Sequence, residues 1–232
     1  MGRQHSGEPG LRAPSIPGLF EMSKASSPTS ATESPAYRSL ALGALLQQLE
    51  AGRLNRILDF GPALQGNLKF WSPYASRICY EDFYRTWEDL GFPKPADGSF
   101  DASTLRDLFS FDRDDRFDII LTWDIFNYLE PDQTQAIAGF LSRYCRPGAL
   151  LFALFSSSPS IPAHPNRFRI LGPEQVLYEK VGSSSRPSPK HQPRDVARMM
   201  PGFEVLNSFL LRHGVREYLF LRQEESGVIS AE

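Results

Sequence analysis

The stretch NRILDFGPALQGNLKF, Asn55 to Phe70, contains an apolar run that ends in an acid and a glycine, Ile57-Leu58-Asp59-Phe60-Gly61. Such a turn can bring backbone close to a ligand, because glycine has no Cβ to hold it off. Glu81 and Asp82 close a second apolar run, Arg77 to Phe83. A carboxylate at that place can accept hydrogen bonds from both hydroxyls of a ribose. Pleat alternation lets only one of the two acids face a ligand. A third group, Trp123, Asp124, Asn127 and Tyr128, follows the apolar run Phe117 to Thr122, and Ser156–Ser158 follow a fourth. The ring of Trp123 can cover a base or a sulfonium, where a cation over an aromatic face gains about 0.5–2 kcal/mol. Together these groups are compatible with an adenosine-type cofactor.

The elements that must position them follow from periodicity. Leu42, Leu45, Leu46 and Leu49 fall at i, i+3, i+4 and i+7, which predicts a helix with Ser39 as N-cap and Gly52 as stop. Strands are expected over Asn55 to Phe60, Arg77 to Phe83 and Phe117 to Thr122, and in ALLFALF; helices are expected over Asn67 to Ala75 and Pro131 to Cys145. DASTLRDLF reads as helical, and no convincing strand is found between Phe83 and Arg116. RFRIL-GPEQ-VLYEKV predicts a small hairpin about a Gly-Pro turn, RDVARMM a helix, and GFEVLNSFLLR with VREYLFLR a strand pair about His213-Gly214. Alternating strands and helices mean a doubly wound, mostly parallel sheet, and the tight last hairpin makes its C-terminal strand antiparallel. In such sheets ligands bind beyond the C-terminal strand ends, where the strand order reverses, and all four candidate groups fall there.

Composition limits the alternatives. The chain has 232 residues, 41% hydrophobic and 12% aromatic, with a net charge of −2. That is enough for one sizeable core and offers no global basic field for nucleic acid. Residues 1–36, rich in Ser, Pro, Gly and Ala, are expected to be a disordered leader, 37–223 the folded domain and 224–232 a flexible tail. An insert over 156–194 is the expected substrate lid. Cys79 and Cys145 lie in or beside apolar segments and form no CxxC pair, as in a reducing, cytoplasmic compartment. The scattered histidines, His5, His164, His191 and His213, have no metal-ligand spacing, so no metal is expected. No apolar run is long enough to cross a membrane as a helix.

The segments ILDFGPALQGN, RICYEDF, FDIILTWDIFNYL, CRPGALLFALF and GFEVLNSFLLRHGVREYLFLR resemble the class I S-adenosylmethionine-dependent methyltransferase family over about Tyr37 to Arg222. More narrowly, they resemble poorly characterised bacterial proteins of that fold whose first loop reads G-P-x. The resemblance implies a Rossmann-like methyltransferase fold with S-adenosylmethionine as cofactor. The loop Asp59–Gly66, with Gly61, Ala63 and Gly66, would hold its methionine part, and Glu81 or Asp82 its ribose. Trp123 would flank the methyl group, while Asp124, helped by Tyr128, would orient or deprotonate the acceptor. A small molecule is the expected acceptor, and neither nucleic acid nor membrane is expected as a partner. The sequence departs from the family at Ala63 and Gln65, which stand in glycine positions, and in a third strand that is weak or missing, whose end in the family often supplies an acid to the adenine amine. Asp112, Asp114 and Asp115 are candidates for that role. The departures favour a second reading, a catalytically inactive methyltransferase-like binding or scaffold protein. A nicotinamide dehydrogenase would need G-x-G-x-x-G, of which GPALQG supplies only the end glycines.

Overall fold

The computed structural model describes Gly2 and residues 36–91, 100, 105–189 and 191–223. The expected leader, apart from Gly2 and Ala36, and the expected tail lie outside the described residues. In Phe117–Trp123 (β4) every residue is buried, so the sheet is covered on both faces. β4 lies beside Asn55–Asp59 (β2), and both run parallel to Ala75–Tyr80 (β3) and Cys145–Ser156 (β5). Val215–Arg222 (β11) runs antiparallel to β5, and Phe203–Leu210 (β10) antiparallel to β11. The order is β10-β11-β5-β4-β2-β3, a six-stranded doubly wound sheet with an inverted C-terminal strand. From β2 the chain first moves outward to β3 and then returns to the other side of β2 as β4. The strand order therefore reverses between β2 and β4.

Side-chain alternation along each strand builds two cores. Ile57, Ile119, Leu121, Phe152 and Leu219 face Leu40–Gln47 (α1) and Gln65–Trp71 (α2), where Leu42, Leu45 and Trp71 are buried. Leu58, Ile120, Leu151 and Phe220 face Phe83–Leu90 (α3), Pro131–Ser142 (α4) and Pro193–Val196 (α5). The α1 helix starts at the expected Ser39, whose hydroxyl accepts from Leu42 N at 3.2 Å. Gln133 and Glu130 complete a capping box at the start of α4.

Several elements differ from expectation. The β3 strand ends at Tyr80, and a helix starts at Phe83, the residue read as the strand's last. Phe83 and Tyr84 are buried with Trp87 one turn on, an apolar helical face among acids. The α4 helix stops at Ser142, so β5 already begins at Cys145 and runs through Pro147-Gly148. Its pairing with β4 is irregular there, where a proline without an N–H leaves no ladder bond unmade. Arg167–Gly172 (β7) and Gln175–Glu179 (β8) form the expected hairpin, which gains Tyr37–Arg38 (β1) as a third strand. Ser160–Pro162 (β6) pairs with Ser185–Pro187 (β9), inside segments expected to be loop. Leu105 and Arg106 are helical, as expected for DASTLRDLF, whose residues 101–104 lie outside the described residues. No strand occurs between β3 and β4 among the described residues.

At the N-terminal ends of the strands, Asp118 gathers the chain. Its carboxylate accepts from Arg56 N at 2.8 Å, Arg146 Nη1 at 2.6 Å and Arg53 Nη2 at 3.1 Å. Asp115 accepts from the Arg56 guanidinium and from Arg77 Nη1 at 3.2 Å. Asp118→Ala leaves the Arg56 N–H without its acceptor, while the half-exposed arginines return to water. A loss of about 2 kcal/mol is expected, read as a lowered urea midpoint at unchanged slope.

Candidate functional site

Asp59 ends β2 at the point of strand reversal and is wholly buried. Its Oδ1 accepts from Gly61 N at 2.8 Å and from Trp123 Nε1, at the end of β4, at 2.7 Å. Its Oδ2 has no partner among the described residues. Burial pushes its carboxyl up to about 6 against the two hydrogen bonds, which act to lower it. Burial, and then the charge of Asp59, raise the neighbouring Tyr80 hydroxyl to about 12.

Gly61 has a structural reason. A Cβ there would stand 3.1 Å from both Asp59 Oδ1 and Trp123 Nε1, so the residue must be small for that bond to form. Ala63 and Gln65 are exposed, and a Cβ on Gly66 would meet open space. Among the described residues Trp123 is the only non-glycine with positive φ, at 51°. Ala63 thus sits in an ordinary backbone conformation, and Gln65 opens α2 facing solvent rather than blocking the turn.

Trp123 itself is held from three sides. Besides Asp59, Phe152 packs edge-on at 5.4 Å, and Phe168 of β7 stacks at 4.9 Å with an interplanar angle of 5°. A left-handed conformation costs a bulky residue roughly 1–3 kcal/mol, and such strain concentrates at functional sites. Phe168 is fixed in turn by Asn67. The Asn67 Nδ2 donates to Phe168 O at 2.9 Å, and Asn67 Oδ1 accepts from Ile170 N at 2.8 Å. The hairpin is therefore laced to α2 and lies over the ends of β2 and β4.

Asp124 is buried, and its Oδ2 accepts from Asn166 N at 3.1 Å and Asn166 Nδ2 at 2.6 Å. Its Oδ1 has no partner among the described residues, and burial pushes the carboxyl up to about 6. Tyr128, at the far end of the same short turn, is buried with its ring edge-on to Tyr84 at 5.1 Å. Burial, then the charge of Asp124, raises its hydroxyl. Asn127 ties this turn to β5, donating to Leu154 O at 3.0 Å and accepting from Ser156 N at 2.7 Å.

The two acids after β3 have different surroundings. Glu81 is buried and accepts from Ser110 N, Ser110 Oγ at 2.8 Å and Phe111 N at 3.0 Å, with both oxygens engaged. Asp82 is exposed at the N-cap of α3, and its side chain makes no capping bond. Asp112 and Asp114 are exposed, whereas Asp115 lies among arginines at the opposite end of the sheet. His191 is buried, its Nε2 2.8 Å from Phe126 O, and burial lowers its pKa; His164 is exposed beside Tyr84. Among the described residues no group of three or more His, Cys, Asp or Glu is placed to hold a metal, and no helix is long and apolar enough to cross a membrane.

Asp59, Gly61, Trp123 and Asp124 are thus brought together, with Tyr128 beside them. Asn67, Asn166 and Phe168, which close the arrangement, carry no motif. Their roles come from contacts 42 to 103 residues apart in the chain and have no local signal.

The parallel run, its reversal at β2 and β4 and the inverted C-terminal strand define a doubly wound, Rossmann-like fold. No family model matches the chain, and no curated protein matches it in sequence. Solved structures resemble it at low identity. The Burkholderia thailandensis 1,6-didemethyltoxoflavin-N1-methyltransferase, with bound 1,6-didemethyltoxoflavin and S-adenosylhomocysteine, is 13% identical over 79% of each chain, with a TM-score of 0.44. The N-methyltransferase NodS of Bradyrhizobium japonicum is 13% identical over 80% of this chain and 95% of its own, with a TM-score of 0.46. The magnesium protoporphyrin IX methyltransferase of Synechocystis is 12% identical over 79% and 76%, with a TM-score of 0.42. The fold assignment stands on the strand order and direction, not on these likenesses.

Asp59 and Asp124 give stability a defined pH dependence. Both carboxyls titrate higher in the folded chain, near 6, than the roughly 3.9 of an unfolded aspartate. Their contribution is complete below pH 4 and is lost as pH rises through 6, about 3 kcal/mol for each group. Between pH 4.5 and 7.5 the urea midpoint of Asp59→Asn is expected to fall less than that of the parent. Parallel curves for the two proteins would contradict the assignment.

Proposed function

We propose that the chain binds S-adenosylmethionine and transfers its methyl group to a small molecule. The observation that carries the reading is the alignment of Asp59, the Glu81-Asp82 pair and Trp123-Asp124 at the C-terminal ends of three neighbouring parallel strands, at the reversal of strand order. The groups there suit such a ligand in part. Among the described residues Asp59 Oδ2 is an unpartnered acceptor for an amine, and the exposed Asp82 carboxylate, which makes no capping bond, is open to a ribose diol. Glu81 does not suit a ribose, because the Ser110 and Phe111 donors occupy it. We assign the ribose contact to Asp82 and give Glu81 the task of holding residues 110–111. When bound, the cofactor supplies an electrophilic methyl group on a sulfonium. The chain's own work is to position the acceptor and take its proton, at Asp124, beside Tyr128. The 156–194 insert acts as the lid, and the hairpin must part from Trp123 and Asp124 for a ligand to enter.

A second reading has its own observation. Phe168 stacked on Trp123, the Asn67 lacing and the satisfied Glu81 describe strand ends closed by the chain itself. A binding or scaffold protein that has lost catalysis would look like this. Calorimetry separates the two. Micromolar binding of S-adenosylmethionine and S-adenosylhomocysteine is expected, weakened about tenfold by Asp82→Ala through loss of charge-assisted hydrogen bonds. The melting temperature of that variant should stay unchanged, because Asp82 is exposed and makes no side-chain cap. A folded sample that gives no heat up to millimolar cofactor selects the scaffold reading.

A further inference from the structure

The β7–β8 hairpin covers the strand ends without joining the sheet beneath it. With β1 it forms a separate three-stranded sheet. Its strands are one-faced: Phe168, Ile170 and Val176 are buried, whereas Arg167, Arg169 and Leu171 are exposed. Irregular stretches, 163–166 and 180–184, flank it on both sides, and Gly182 has a φ of 78°. Short segments of that kind absorb the backbone rotation of a hinge. Beyond them β6 and β9 pair with each other, and Ala163 O, just after β6, accepts from the Tyr84 hydroxyl of α3 at 3.1 Å. The hinge thus separates the hairpin from a strap that is fixed to α3.

Three sets of contacts hold the hairpin down. At its hinge end Asn166 donates twice to Asp124. Along β7 the Asn67 side chain takes the place of a neighbouring strand, accepting from Ile170 N and donating to Phe168 O. At the tip Glu174 is clamped to the start of α1. Glu174 O accepts from Ser39 N at 2.8 Å, and Glu174 Oε2 from Arg38 Nε at 2.6 Å. The Glu174 side chain lies against Gly43, where an added Cβ would stand 2.8 Å from its Cγ and 2.9 Å from its Oε1. Gly43 is inside α1, where glycine is a poorer helix former than alanine, so its small size serves the hairpin and not the helix. These ties keep one contact in place. Phe168 lies parallel to the Trp123 ring within 5°, at 4.9 Å, and Trp123 is 2% exposed. No other group reaches that face of the indole while the hairpin is closed.

We propose that the hairpin is an autoinhibitory lid: Phe168 occupies the face of Trp123 that the cofactor requires, and the Asn67 and Glu174 contacts set how often it leaves. That the excluded ligand is the cofactor rests on the methyltransferase reading above. Opening also exposes Ile170 and Val176, so the closed form dominates in the free chain. A ligand that binds only the open form then shows a dissociation constant raised in proportion to the rarity of that form. Loosening a tie therefore tightens binding, the reverse of what loss of a binding residue does. Gly43 separates the two effects. The three atoms nearest a Cβ there all belong to Glu174, so its substitution acts on the hairpin tip and not on the strand ends.

The test uses the full chain, with amide hydrogen exchange over 167–179 and calorimetry with S-adenosylhomocysteine. In Asn67→Ala two backbone groups of β7 lose their partners. Exchange of the hairpin should quicken about tenfold, while β4 and β5 keep their protection. Gly43→Ala should quicken it about fivefold, the scale of one hydrogen bond. Adding Glu174→Ala, which removes the obstructing atoms, should bring Gly43→Ala back toward the parent's rate. Arg169→Gln, which breaks only an exposed ion pair with Glu179, should change nothing. S-adenosylhomocysteine should bind Gly43→Ala more tightly, by the same factor as its exchange quickens. Unchanged exchange in the folded variants overturns the latch, and faster exchange with equal or weaker binding overturns the inhibitory role. If Asn67→Ala fails to fold, Gly43→Ala and its rescue decide. If neither the parent nor Gly43→Ala binds S-adenosylhomocysteine, the methyltransferase reading is overturned, and exchange still decides the latch.

Discussion

The bond from Trp123 Nε1 to Asp59 Oδ1 joins the ends of the two strands between which the sheet reverses. Much of the upper surface depends on it. The same oxygen receives Gly61 N, which fixes the turn after β2, and the closeness of that bond to Gly61 excludes a side chain there. Trp123 accepts a left-handed backbone to make the bond, and its indole becomes the platform on which Phe168 stacks. Asn67 then fixes Phe168 from α2, so one buried carboxylate organises the turn, the β4 end and the hairpin. The arrangement is held by fully buried partners, where a hydrogen bond gains strength and an unpaired group costs most.

The two ends of the sheet solve the problem of buried charge in opposite ways. Below, arginines from β2, β3 and β5 neutralise Asp115 and Asp118, and the acids serve as cross-braces between strands. Above, desolvation dominates. Asp59 and Asp124 are pushed up to about 6, and among the described residues each keeps one unpartnered oxygen. Carboxyls in that state gather at functional sites, where a group that titrates near neutrality can exchange a proton. The difference between the two ends supports placing function at the upper one independently of any motif.

The parts of the fold that were legible have short-range causes. The continuous apolar runs of β4 and β5, the Ser39 cap and the turn at His213-Gly214 follow from neighbours in sequence. The α3 helix was not legible, because Phe83 and Tyr84 follow a strand directly and are surrounded by acids, so a strand ending and a helix beginning read alike. The pairings of β1 with β8 and of β6 with β9 were hidden too. The β1, β6 and β9 strands are two or three residues long, too short for a period, and exist only because the hairpin and lid segments are brought beside them.

At the site, sequence alone determined which residue types arrive at the strand ends. An acid and a glycine after β2, two acids after β3, and Trp123-Asp124 after β4 follow from where apolar runs stop, which is a local property. The backbone conformation settled a point that residue identity left open. Ala63 lies outside the positive-φ region, and Gln65 is exposed, so the substituted loop is unstrained. Only the tertiary structure decided which acid turns inward. Glu81 is taken by Ser110 and Phe111, nearly thirty residues on, while Asp82 stays free. Only the tertiary structure brought Phe168 onto Trp123. A side chain's partner across the fold depends on how strands and lid pack, and no spacing along the chain encodes that.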